Sequence, residues 1–81
     1  MTRPLNVIAE EIRSDWKKLS PYAEPYLDAM FSLHSVKDSY ILDSGSEIVA
    51  RFLCNASGWR GDVARRVKKE LNDALAERRR N

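Results

Sequence analysis

Apolar residues recur along this chain at helical spacing in four separate stretches. Leu5, Ile8, Ile12, Trp16 and Leu19 follow one another at steps of three and four, which places them on one stripe of a helix. Glu10, Arg13, Asp15, Lys17 and Lys18 fill the other side, with Glu10–Arg13 and Asp15–Lys18 spaced for pairing across a turn. Pro4 suits the first turn, and Ser20-Pro21 ends the helix because a proline drives the residue before it out of helical geometry. The second helix is predicted to start from a Ser20 cap with Pro21 at its first position. Its stripe is Tyr22, Tyr26, Met30 and Leu33, flanked by Leu27 and Phe31. Pro25 fits within the first turn or two and implies a kink near Ala23.

Residues 34–43 break the period. Ser35, Asp38, Ser39 and Asp43 form turns, while Val36, Tyr40, Ile41 and Leu42 are apolar. The pattern reads as a loop that folds back onto the core through Tyr40 or Leu42, and a short strand here would find no partner elsewhere in the chain. Ser44 to Glu47 then matches a capping box and opens a third helix with the apolar face Ile48, Val49, Phe52, Leu53 and Ala56. Asn55-Ala56-Ser57-Gly58 ends it, with Gly58 expected in the left-handed region. The last predicted helix starts between Ser57 and Trp59 and runs toward Arg78 on the stripe Val63, Val67, Leu71, Ala74 and Leu75. The expected fold is all-α, a compact four-helix single domain over residues 1–81. It has a longer loop between helices 2 and 3 and a basic tail, 78–81, that frays.

Composition narrows what such a domain can do. At 81 residues, 43% of them hydrophobic, the chain builds one small core and not a deep cleft between two lobes. One cysteine and one histidine exclude an internal disulfide framework and a four-ligand zinc site from a single chain. No stretch reaches the ~20 apolar residues that cross a bilayer, so no membrane partner is expected. The start, Met1-Thr2-Arg3-Pro4-Leu5 leading into Glu10 and Glu11, lacks the apolar run of a signal peptide, and the expected location is cytoplasmic. The net charge of +2 conceals an asymmetry. Residues 1–58 carry six Lys/Arg against eight Asp/Glu, and residues 59–81 carry eight against four. A slightly acidic body therefore precedes a basic final helix.

No catalytic constellation, metal site or cofactor motif emerges. His34 falls at the end of the second helix, where a cation is favoured by the helix dipole. Cys54 reads as a small core hydrophobe. Arg60-Gly61-Asp62 is the tripeptide read by integrins, and Asn55-Ala56-Ser57 matches a glycosylation acceptor; both need a secreted chain to matter. Asp43-Ser44-Gly45-Ser46 could surround an anion at a helix start, although capping already accounts for it.

Two surfaces remain. On the last helix Arg65, Lys69 and Asn72 share a face, with Lys68 and Arg60 nearby, and pairing of Arg66 with Glu70 and Lys69 with Asp73 would neutralise part of it. A third helix, a turn and a basic helix also trace the outline of a helix-turn-helix, although the turn Asn-Ala-Ser-Gly matches it poorly. On the second helix Tyr22 and Tyr26, with Pro21 and Pro25, form either packed rings or an exposed patch suited to a protein partner. Trp16 and Trp59 can both belong to the core.

Three runs are familiar together: Ile12-Arg13-Ser14-Asp15-Trp16-Lys17-Lys18, Pro25-Tyr26-Leu27-Asp28-Ala29-Met30, and Asp43-Ser44-Gly45-Ser46-Glu47-Ile48-Val49. With Phe52 through Gly61 and the Ala64-Arg65-Arg66-Val67-Lys68 helix, the chain resembles a family of small uncharacterised proteins encoded by bacteria, their phages and mobile elements. The likeness spans about residues 7–75 and implies a short accessory protein in a bacterial cytoplasm, with no activity or functional residue to transfer. The expectation is a non-enzymatic module, a monomer or a homodimer, that contacts another protein through Tyr22, Tyr26, Trp59, Arg60 and Arg65, as a phage or mobile-element regulator or inhibitor would. The alternative is a nucleic-acid binder using Arg60, Arg65, Lys68, Lys69, Arg78, Arg79 and Arg80.

Overall fold

The stripe from Leu5 to Trp16 forms a helix, α1, over Leu5–Asp15, with Leu5, Ile8, Ala9 and Ile12 buried. The computed structural model describes residues 3–40 and 43–80, and of residues 39, 40, 43 and 77–80 the backbone alone. α1 ends at Asp15, five residues before the expected stop at Ser20. Trp16 leaves helical geometry at ψ 86° and turns its indole into the core, where it stacks on Trp59 and meets the edge of Phe52. No side chain caps the start of α1. Its first free N–H groups, those of Leu5 and Asn6, donate instead to the carbonyls of His34 at 2.8 Å and Leu33 at 3.1 Å.

The second helix, α2, covers Glu24–Met30 and so begins three residues later than predicted. A start at Pro21 would have put Pro25 in the fifth helical position, where a missing N–H deletes a helical hydrogen bond. With the start at Glu24, Pro25 sits second and nothing is lost. Ser20 still serves the junction: its carbonyl accepts from Ala23 and Glu24, each at 3.0 Å, and its hydroxyl from the Tyr22 N–H at 3.2 Å. Tyr22 therefore stands in a turn ahead of the helix rather than on its buried stripe.

Residues Ser39–Tyr40 (β1) and Asp43–Ser44 (β2) pair antiparallel, Ser39 opposite Ser44 and Tyr40 opposite Asp43. The short strand does find a partner, in the two residues that lead directly into the next helix. Val36 is the buried residue that seats this segment; Ile41, Leu42 and the Tyr40 side chain, the proposed anchors included, lie outside the described residues. The third helix, α3 (Gly45–Cys54), opens as expected, with the Ser44 hydroxyl accepting from the Glu47 N–H at 3.2 Å. Cys54 is exposed, contrary to its reading as a core residue. It lies two positions, about 200°, from buried Phe52, and that carries it to the outer side of α3.

The fourth helix, α4, spans Asp62–Arg80. Burial of Ala56 and Trp59 holds the preceding segment in turns, so α4 starts after Gly61. Gly61, at φ 113°, and not Gly58, takes the left-handed conformation. The backbone of residues 78–80 is helical, while Asn81 lies outside the described residues. The helices pack in a ring, α1 on α2, α2 on α3, α3 on α4 and α4 back on α1, around one core. This is the all-α four-helix fold expected from the pattern.

Candidate functional site

Of the residues singled out for partner contact, one is a core residue and the others reach the surface at the starts of α2 and α4. Trp59 is not a surface aromatic. It is 2% exposed, stacked on Trp16 at 5.8 Å between ring centroids and edge-on to Phe52, and its Nε1 donates to Asp15 Oδ2 at 2.8 Å. With so few large apolar side chains, the core takes both tryptophans, and Asp15 satisfies the buried indole N–H. Tyr22 is 76% exposed, and Tyr26, one helical turn on, is partly buried against the core. Pro21 and Pro25 are exposed beside them. Arg60 and Arg65 are exposed at the start of α4, and α4 is not a neighbour of α2 in the ring. Tyr22 and Tyr26 thus belong to the start of α2, and Arg60 and Arg65 to the start of α4.

The described basic side chains of α4 are occupied by partners within the chain. Arg65 pairs with Asp62, Arg66 with Glu11, and Lys69 Nζ with Asp73 at 3.0 Å. Lys68 turns inward, where its Nζ donates to the Trp59 carbonyl at 2.7 Å and lies 6.0 Å from the ring centroid of the same residue. Burial, followed by the nearby charge of Arg60, pushes the Lys68 ammonium below its ordinary pKa. The expected Lys69–Asp73 pair is present, whereas Arg66 leaves Glu70 for Glu11 on α1. The side chains of Arg78, Arg79 and Arg80 lie outside the described residues.

Glu70 is taken by a residue that spacing could not nominate. Arg3 Nε and one terminal nitrogen grip both Glu70 oxygens, at 3.1 and 2.7 Å, and the same terminal nitrogen reaches Glu11 at 2.7 Å. Arg3, Glu11, Arg66 and Glu70 form a four-charge network that ties the N-terminal segment and α1 to α4. The bond from Arg66 and then that from Arg3 hold the Glu11 carboxyl below the usual carboxylate range, and Arg3 does the same to Glu70. Arg13 likewise bypasses Glu10, pairing with Asp28 at 2.5 Å above the Phe31 ring.

His34 lies beyond the last turn of α2, which has no basic residue, so it does not cap that helix as expected; its backbone serves the start of α1 instead. Its carbonyl accepts from Leu5, and its N–H and that of Ser35 donate to Asp38 Oδ2 at 2.8 and 3.1 Å, lowering the pKa of that carboxyl. Among the described residues no group of three or more His, Cys, Asp and Glu side chains could hold a metal ion, and no helix is long and apolar enough to cross a membrane. Comparisons with protein-family models, with curated proteins and with solved structures each returned no match, so no family is assigned to the chain.

Proposed function

We propose that this chain is a small non-enzymatic module that binds another protein through the α1–α2 connection and the first turn of α2. The observation that carries this reading is the Tyr22 ring, 76% exposed on a turn whose backbone is pinned to Ser20 and whose neighbour Tyr26 is packed on the core. An amphipathic ring presented on an ordered backbone loses little entropy on contact, the property that concentrates tyrosine at the centres of interfaces. Lys17 and Lys18 are exposed just ahead of it, which favours a partner face with an apolar centre and an acidic rim. The role of a regulator or inhibitor carried by a mobile element belongs to the same proposal. The nucleic-acid reading is less well supported, since Arg65, Arg66 and Lys69 already face carboxylates.

Site-specific photo-crosslinking in a bacterial host tests the reading. A crosslinker at Tyr22 is expected to give one discrete adduct, and a crosslinker at exposed Asn72 none. Equal adducts at both positions, or none at Tyr22, would overturn it. A low-salt titration with duplex DNA checks the alternative, because phosphate contacts are strongest there.

A further inference from the structure

The corner between α3 and α4 holds two cations, Arg60 and Lys68, that pair with no carboxylate among the described residues. Lys68 Nζ donates at 2.7 Å to the Trp59 carbonyl, which belongs to the peptide joining Trp59 to Arg60, so the ammonium rests against the backbone of Arg60 itself. The Arg60 side chain is exposed and has no ion-pair partner among the described residues. Arg3, Arg13, Arg65, Arg66 and Lys69 each meet a carboxylate, while Lys17, Lys18 and Lys37 stand exposed on turns elsewhere. Asp62, the nearest acid in sequence, is drawn away to Arg65 one turn along α4. Arg60 stands between exposed Gly58 and Gly61, which carry no side chains.

We propose that this corner binds a single phosphate-type oxyanion between Arg60 and Lys68, with preference for a terminal phosphate monoester over the diesters of a nucleic-acid strand. Two adjacent cations match the charge of a monoester near neutral pH, about −1.5 to −2, whereas a strand asks for a row of uncommitted cations. Lys68 is already held by Trp59 and keeps two of its three donors, and Arg60 supplies a planar fork that fits two phosphate oxygens. The proposal uses neither Tyr22 nor Tyr26, and it stands or falls without the reading built on them.

The test is a titration of the whole chain, at constant ionic strength, with inorganic phosphate and with a phosphoserine peptide flanked by glycines, followed through backbone amide NMR. Saturable shifts at Trp59, Arg60 and Gly61 in the low millimolar range are expected, with roughly tenfold weaker binding in Arg60→Gln and Lys68→Gln. Tighter binding of the peptide identifies a side-chain phosphate as the natural form and equal binding the free ion; either supports the site. Arg60→Gln changes an exposed side chain, so its effect is not confused with loss of fold. Shifts that stay linear, that survive both substitutions, or that are exceeded by a short DNA duplex perturbing the length of α4 would overturn the proposal.

Discussion

Trp59 shows how one polar atom decides where a large side chain sits. Its indole fills the space between Trp16 and Phe52, and the single N–H that burial would strand is answered by Asp15 from the end of α1. Trp59→Phe should therefore lower stability by about 1–3 kcal/mol, from the lost charge-assisted bond and the lost ring volume. Urea denaturation measures it, and an unchanged midpoint would mean that the Asp15 bond contributes nothing. The glycines divide in the same residue-by-residue way. A Cβ on Gly45 would stand 2.6 Å from the Ser35 carbonyl oxygen, against the backbone of the 34–38 turn. Gly45→Ala should cost more than about 1 kcal/mol, while Gly58→Ala, with open space around it, should be neutral or stabilise by about 0.4–1 kcal/mol. Paired melting curves of the two variants check the contrast. The sequence places Gly45 in the Ser44 cap and expects Gly58 in a left-handed turn; the close approach at Gly45 and the open space at Gly58 belong to the folded structure.

At the scale of elements, the helices that agree with their sequence are those whose ends depend on local chemistry. Ser44 stands three residues before Glu47, and the bond from the Glu47 N–H to the Ser44 hydroxyl forms as the spacing implies. Ser44→Ala should cost about 1 kcal/mol, seen as a lower thermal midpoint. α1 and α2 depart from expectation because their ends answer to each other. The orphan donors opening α1 meet the carbonyls of Leu33 and His34, residues distant along the chain. No residue near Leu5 announces such a cap. α2 is shorter than its periodic stripe because Pro25 is tolerated only in a first turn, and that choice releases Tyr22 to the surface.

At the scale of the whole molecule, extents of 33 × 24 × 20 Å and a radius of gyration of 11.5 Å leave little interior, and stability is distributed between one core and the charges at its rim. The Arg3–Glu11–Arg66–Glu70 network closes the ring by joining the N-terminal segment and α1 to α4. Both carboxyls titrate below their ordinary value of 4.5 in the folded chain, while in the unfolded chain they return to it. The unfolded state thus binds more protons below that value, so the network's contribution is complete above about pH 4.5 and is lost as pH falls through the depressed folded values. Glu70→Gln should cost about 1–2 kcal/mol near neutral pH and progressively less toward pH 3, and salt should narrow the gap. A difference that is constant across acid titration would dissociate stability from this network.

The sequence by itself determined the all-α class, the four apolar stripes and the Ser44 cap, because helical period and capping are relations among residues three or four apart. The tertiary structure alone decided which charges pair, which tryptophan face is covered and which cations stay free. Arg3 and Glu70 are separated by 67 positions, and Trp59 and Asp15 by 44. Such pairs exist only after the ring closes, when burial forces each polar group to find a partner from whatever element packs beside it. That is also why Arg65, Arg66 and Lys69 of the basic last helix are neutralised in place, and the pair at Arg60 and Lys68, without a carboxylate among the described residues, is visible only in the folded chain.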